Sequence, residues 1–156
     1  MKLYFDSCCY NRPYDNIAHL VQESVRYEIA AIRGVVRICG MAGIPIMGSP
    51  AVVYEIGKIS NNAKLEKVWG FYNRAISQQI KFSADIFARV QELTAMGLKG
   101  MDSYHTAFAE AANVDFLLTT DDRFERSAKR LILNVMVINP TKFLPEVIRW
   151  VRQSLT

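Results

Sequence analysis

Four acidic residues stand where carboxylates from distant parts of the chain could act on a common group. Asp6 follows the apolar run KLYF, and Asp121 follows the run FLLT. Asp102 lies at the start of a predicted helix, and Glu55 lies within the apolar segment AVVYEIGK. Carboxylates that are brought together repel and resist ionisation. A hard divalent cation such as Mg²⁺ or Mn²⁺, which prefers oxygen ligands, removes that conflict.

Each acid also has an ordinary structural explanation. Asp102 and Asp121 can each cap a helix. Glu55 can face solvent, and Asp6 can begin a turn. The joint arrangement is what favours a metal site, because such a cluster serves metal-assisted hydrolysis of phosphodiesters, in which the metal activates water and stabilises the departing oxygen.

Short apolar runs alternate with helical segments along the chain. We predict strands at 2–5, within 44–48, and at 80–82, 116–119 and 135–138. We predict helices at 17–39, after Ser49-Pro50, at 63–76, after Ser83, from Asp102 or Ser103 to 112, at 121–129, and from Thr141 onward. The alternation is typical of an α/β fold with a mainly parallel central sheet between helical layers. Functional groups of such sheets gather beyond the carboxyl ends of the strands.

Length and composition indicate one globular domain over residues 1–156, with 51% hydrophobic and 22% charged residues. The net charge of +4 favours an anionic partner such as nucleic acid, although a merely basic surface explains it as well. No run approaches the roughly 20 apolar residues that span a bilayer, and no signal peptide is recognisable. We therefore expect a cytoplasmic protein without membrane contact.

The cysteines and histidines do not form a recognisable zinc or redox motif. Cys8 and Cys9 are adjacent rather than spaced as C-x-x-C, and neither His19 nor His105 has zinc-ligand spacing to them. Three cysteines also make an odd number, which argues against a disulfide framework. We expect Cys8 and Cys9 to pack as small residues under the end of the first strand, and His105 to border the acidic site.

These motifs resemble the PIN-domain ribonucleases, and in particular the small prokaryotic PIN proteins that include toxin nucleases. The resemblance is carried by the strand that ends in Asp6, by Glu55 within SPAVVYEIGK, by Asp102 within KGMDSYHTAFAEAANVDF, and by TTDDRF at 119–124. It extends through NPTKFL and covers nearly the whole chain. It implies a PIN-like three-layer α/β/α fold.

The resemblance also implies the roles of individual residues. The expected catalytic residues and ligands of Mg²⁺ or Mn²⁺ are Asp6, Glu55, Asp102 and Asp121. Ser7 and Thr119 are expected to support these carboxylates, and Asp122 has a weaker claim to a place beside Asp121. Phosphate contacts are expected from Arg12, Lys99 and Arg123. The reaction implied is endoribonuclease cleavage by water, with an antitoxin protein and a second copy of the chain as further partners.

Two other classes of protein share part of this pattern. Receiver domains also use strand-end aspartates and Mg²⁺, but they have an acidic pair after the first strand and a Lys after the last, whereas only Asp6 follows KLYF and no Lys directly follows VMVI. A PIN-like module that binds RNA or protein without cleavage is the other alternative. The presence of all four acids argues against it without excluding it.

Overall fold

A central parallel sheet organises the computed structural model, which describes residues 1–16, 18 and 22–156. Its five strands lie in the order β3-β2-β1-β4-β5, and every neighbouring pair is parallel. The strands are β1 Leu3–Phe5, β2 Ile46–Gly48, β3 Gln78–Gln79, β4 Phe116–Leu118 and β5 Met136–Ile138. Phe5 is paired with Leu118, so β1 and β4 end at the same rim of the sheet, as predicted.

Eight α-helices and one short 3-10 helix surround the sheet within the described residues. They are α1 Ser7–Asn11, the 3-10 helix Arg12–Tyr14, α2 Glu23–Ala42, α3 Pro50–Gly57, α4 Asn62–Ala75, α5 Ala84–Ala95, α6 Met101–Ala111, α7 Asp122–Lys129 and α8 Pro140–Ser154. The largest helix contacts join α2 to α8 and α5 to α6. The architecture is the predicted α/β fold, with none of the described helices long and apolar enough to cross a membrane.

Serine caps start two of these helices where the sequence predicts them. The Ser49 hydroxyl accepts a hydrogen bond from the Val52 N–H, and the Ser83 hydroxyl accepts one from the Ile86 N–H, each at 3.3 Å. Each cap satisfies an N–H group that has no partner inside its helix. Pro50 follows Ser49 at the first helical position, where its missing N–H costs nothing. These caps fix where α3 and α5 leave the sheet.

The core surrounds β1, the middle strand of the sheet. Leu3, Tyr4 and Phe5 are all fully buried, because strands lie on both sides of β1 and helices cover it. The chain then continues into Asp6, whose N–H donates to the Leu118 carbonyl at 2.9 Å and so prolongs the β1–β4 ladder. The backbone of Asp6 is therefore held by the buried centre of the sheet.

The fold corrects one predicted strand and two of the ordinary explanations considered for the acids. The strand predicted at 80–82 lies instead at Gln78–Gln79, because Ile80 makes the last ladder bond, to the Gly48 carbonyl, and the exposed segment after it leads to the α5 cap. Asp102 does not cap α6, since Gly100 holds that position at a φ of 51°. The segment after Asp6 forms α1 rather than a turn. The first part of the helix predicted at 17–39 falls partly outside the described residues, and α2 itself begins at Glu23.

Candidate functional site

Asp6 is the best-fixed carboxylate at the carboxyl-end rim of the sheet. It is almost fully buried, and its Oδ2 accepts a hydrogen bond from the Thr119 hydroxyl at 2.8 Å. Ser7 Oγ lies 3.3 Å from its Oδ1, and Cys8 Sγ donates to its Oδ2 at 3.3 Å. Because Thr119 directly follows β4 and Ser7 opens α1, two elements orient this carboxylate.

Glu55 reaches the same place from α3. Its Oε1 accepts a hydrogen bond from Ser7 Oγ at 3.0 Å and also contacts Nε2 of His105. Burial opposes ionisation of this half-buried side chain, but hydrogen bonds from His105 and Ser7, together with the charges of His105 and Lys58, lower its pKa. These contacts explain why a carboxylate is tolerated in so apolar a helix.

His105, on α6, contacts the carboxylates of both Asp6 and Glu55. Its ring is almost fully buried, and Nε2 lies 3.2 Å from Asp6 Oδ1 and in contact with Glu55 Oε1. Since carboxylate oxygens only accept, Nε2 carries a proton and donates it. Burial favours the neutral ring, yet the negative charges of Asp6, Glu55 and Asp102 raise its pKa. The His105 ring therefore takes up a proton more readily than its burial alone would allow.

The other ring nitrogen of His105 is held by a buried relay. Nδ1 lies 2.7 Å from the Tyr4 hydroxyl, which lies 2.6 Å from Ser49 Oγ. The sequence indicated only that His105 borders the site, and the structure brings it into direct contact. The one local signal was its position three residues after Asp102, which puts both side chains on the same side of α6.

Asp102 lies in the first turn of α6 and is half-buried. Burial, followed by the negative charges of Asp6 and Asp121, raises its pKa to about 6, and His105 and Arg123 oppose this shift. One potential ligand atom from each of Asp6, Glu55 and His105 lies within 4.8 Å of the others. Asp102 and Asp121 lie outside that trio. The charges of Asp6, Asp121 and His105 all act on the Asp102 carboxyl.

Asp121 serves first as the N-cap of α7. Its Oδ1 accepts hydrogen bonds from the N–H groups of Arg123 at 2.9 Å and Phe124 at 3.2 Å. Its own N–H donates to the Thr119 hydroxyl at 3.1 Å, so Thr119 bridges the Asp121 backbone and the Asp6 carboxylate. The capping explanation is thus correct for Asp121, and its second carboxylate oxygen is not used by the cap.

Comparison with known proteins identifies the fold. A solved structure described as VapBC2 from Rickettsia felis bound to a DNA fragment from their promoter contains a chain that superposes with a TM-score of 0.54. The two chains are 16% identical, and the match covers 89% of this chain and 98% of the other. The chain has a PIN-like fold. No protein-family model and no curated protein sequence matches it.

The other residues predicted to contact RNA or to support the site differ in exposure and in ion pairing. Arg12 forms ion pairs with Asp15 at 3.1 Å and Glu28 at 2.9 Å, so its guanidinium is already engaged. Lys99 and Asp122 are exposed. Arg123 is largely exposed, with Nη2 4.0 Å from Asp121 Oδ2. Their roles towards RNA or the site of this PIN-like fold stay predictions.

The two adjacent cysteines differ in their surroundings. Cys9 is fully buried, and its thiol donates to the Leu118 carbonyl at 3.3 Å, which agrees with the predicted packing under the strand end. Cys8 is only half-buried, accepts from the Thr120 N–H at 3.3 Å and contacts Asp6. Both are free thiols. Cys8 therefore belongs to the shell of groups that orient Asp6.

Proposed function

We propose that this protein is a metal-dependent endoribonuclease. The observation that carries the proposal is the trio of Asp6, Glu55 and His105, whose ligand atoms lie within 4.8 Å of one another at the carboxyl-end rim of a PIN-like fold. Ligand sites of open parallel sheets lie at this rim. Two further acids, Asp102 and Asp121, contribute negative charge to the same region.

The residues of the site fit a divalent cation. Burial, followed by the negative charges of Asp6 and Asp121, raises the pKa of Asp102, so a bound cation would favour the ionised form of this carboxyl group. Carboxylate oxygens suit Mg²⁺ and Mn²⁺. His105, whose Nε2 proton points to Asp6 and Glu55, would orient these carboxylates and would not itself ligate the cation. A bound cation would lower the pKa of a water molecule and stabilise the departing oxygen of the phosphodiester.

We assign a separate role in the reaction to each side chain of the site. Asp6, Asp102 and Asp121 would hold the cation, and Glu55 would either ligate it or orient the attacking water. Ser7 and Thr119 fix the carboxylates through the hydrogen bonds described above. The nucleophile is water, so no side chain becomes covalently attached to the substrate.

The charge of the molecule supports a polyanionic substrate. A net charge of +4 attracts RNA to a surface whose centre is acidic. Arg123 and Lys99, both exposed, are the side chains that we assign to phosphate contacts. Arg12 is a further candidate only if a phosphate replaces its ion pairs with Asp15 and Glu28. Binding of RNA is then expected to weaken as the salt concentration rises.

We further propose that the protein is the toxin of a toxin–antitoxin pair and acts in the cytoplasm. The similar chain comes from a structure described as a VapBC2 assembly on promoter DNA, which supports an antitoxin protein as the partner of this chain. A second copy of the chain is the other partner that we propose. A neighbouring gene that encodes a small DNA-binding protein, whose co-expression suppresses cleavage, is the expected finding.

Cleavage of labelled RNA by the wild type and by Asp121→Asn tests the activity. Asparagine caps helices as well as aspartate does, so the substitution removes charge and leaves α7 intact. We expect cleavage by the wild type with Mn²⁺ or Mg²⁺, none with EDTA, and a loss of at least about 100-fold in the variant, comparable to the loss of one electrostatic contact to a transition state. Asp85→Asn, in an exposed first turn of α5, is the matched control.

Two outcomes would contradict the proposal. Cleavage that survives both EDTA and Asp121→Asn would come from another mechanism or a contaminant. Absence of cleavage for every RNA tested, with cation binding retained, would support a PIN-like module that binds without cutting.

A further inference from the structure

A groove lies beside α3 and α6, the two helices that carry Glu55 and Asp102. It lies between α3, α5 and α6 and encloses about 660 Å³, with Tyr54, Phe87 and Tyr104 among its walls. A second compartment of about 410 Å³ shares Tyr54, Met101 and Tyr104 and extends to Phe82. Volumes of this size are typical of sites for small organic groups.

The aromatic rings of this groove are unusually accessible. Tyr54, Phe82 and Phe87 are 56%, 53% and 44% exposed, and the rings of Phe82 and Phe87 lie 6.4 Å apart. Large exposed apolar patches mark sites of interaction, and these rings would contribute to such a patch. Exposed ring faces are also what unpaired nucleobases stack on.

The groove adjoins the acidic site through consecutive residues. Tyr54 directly precedes Glu55 on α3, and Met101 directly precedes Asp102 on α6. The same two helices therefore present carboxylates at the rim and rings in the groove. An RNA strand that crosses this turn of α3 would contact both the carboxylate of Glu55 and the ring of Tyr54.

The charge of the groove matches nucleic acid better than a protein partner. None of the described residues that line it is acidic, and Lys58 Nζ lies 4.3 Å from the centre of the Tyr54 ring. Lysine is depleted in the cores of protein interfaces, whereas cations beside aromatic faces are usual where single-stranded nucleic acids bind. Lys58 is exposed, so a phosphate can approach its ammonium group.

We propose that this groove is a subsite for unpaired nucleobases of the RNA strand, with Tyr54 as its stacking surface and Lys58 as its phosphate contact. The inference rests on the proposed ribonuclease function and specifies its substrate class. Both faces of a base inside a duplex are already stacked, so the groove selects single-stranded segments over paired ones. Every base offers a ring face, so the selection is for strandedness more than for sequence.

Binding to a short unstructured fluorescein-labelled RNA, measured by anisotropy in EDTA, tests the subsite without requiring cleavage. We expect Tyr54→Ala to weaken binding roughly tenfold, within the range that base–aromatic stacking supplies, with the salt dependence unchanged. Lys58→Gln is expected to weaken binding and reduce the salt dependence, because a phosphate contact is lost. Tyr27→Ala, at an equally exposed tyrosine on α2, is the matched control.

A second probe with the same phosphates but abasic positions separates stacking from charge. The wild type should bind it about as weakly as Tyr54→Ala binds the full RNA, and Tyr54→Ala should bind both probes alike. Equal affinities of wild type and Tyr54→Ala for the full RNA would overturn the proposal. If that variant instead dissociates a wild-type dimer in sedimentation and binds RNA normally, the groove is a surface for a second copy. Cleavage that occurs without any effect of Tyr54→Ala would refute the subsite and leave the nuclease intact.

Discussion

His105 Nδ1 and the Tyr4 hydroxyl oxygen lie 2.7 Å apart, although 101 residues separate them in the chain. This contact runs from the fully buried central strand to the ring that touches both Asp6 and Glu55. It explains why the ring has one orientation, because its second nitrogen has its own fixed partner. Hydrogen bonds thus link the buried central strand to the acidic rim through His105.

Tyr4→Phe is expected to destabilise the protein by about 1–3 kcal/mol. The change leaves a ring nitrogen of His105 and the hydroxyl of Ser49 buried without their shared partner, which costs the desolvation of those groups. Urea unfolding measures the difference. Tyr27→Phe, which removes an exposed hydroxyl that donates to Glu23, should change the free energy of unfolding by less than about 0.5 kcal/mol. Equal effects of the two substitutions would show that the buried contact is absent.

Asp102→Asn is expected to stabilise the metal-free protein above about pH 6. The folded-state pKa of Asp102 is raised to about 6 from 3.8, chiefly by burial and then by Asp6 and Asp121, so its ionisation costs stability as the pH rises through that interval. Below the lower value the carboxyl is protonated in both states and the advantage disappears. We expect a gain of about 1 kcal/mol at neutral pH, allowing for solvent screening. Urea unfolding of both proteins across this pH range, in EDTA, is the measurement, and a difference that does not vary with pH would contradict it.

The strand-end acids could be predicted because their signal is local. An apolar run followed by Asp identifies a buried strand and its carboxyl end, and parallel pairing then places Asp6 beside the end of β4. The serine caps were equally local. These features need no knowledge of which segments meet in space.

Other features depend on contacts that a single sequence does not reveal. The partners of His105 come from β1 and α3, both far along the chain, so nothing near His105 indicates them. Strand β3 has two exposed glutamines and no apolar pattern, and it forms because Ser77 and Ile80 are bonded to the carbonyls of Ile46 and Gly48 on either side. The position of so short an edge strand is determined by its hydrogen bonds to the neighbouring strand β2.

Gly48→Ala and Gly40→Ala are expected to have opposite effects. A methyl group at Gly48 would approach Gln79 Oε1 to 2.6 Å and would also overlap the Tyr72 hydroxyl, so we expect a loss of about 1–3 kcal/mol. A methyl group at Gly40 meets no atom within 4 Å among the described residues and lies in α2, where alanine favours the helix by about 1 kcal/mol. Thermal unfolding compares the two. Stabilisation by Gly48→Ala would mean that β2 packs less closely on α4 than described.

Asp6→Asn is expected to weaken Mn²⁺ binding by about tenfold or more while the fold is retained. Asparagine keeps a carbonyl oxygen that can accept the Thr119 hydrogen bond, so the substitution removes charge from the rim without removing the contact that fixes the side chain. Loss of affinity then reports on ligation, in line with the importance of carboxylates to hard cations. Calorimetric titration of wild type, Asp6→Asn and the exposed control Asp85→Asn, with matched unfolding curves, measures it. Equal Mn²⁺ affinity in all three proteins would remove Asp6 from the proposed site, and a loss in Asp85→Asn as large as in Asp6→Asn would show that net charge alone holds the ion.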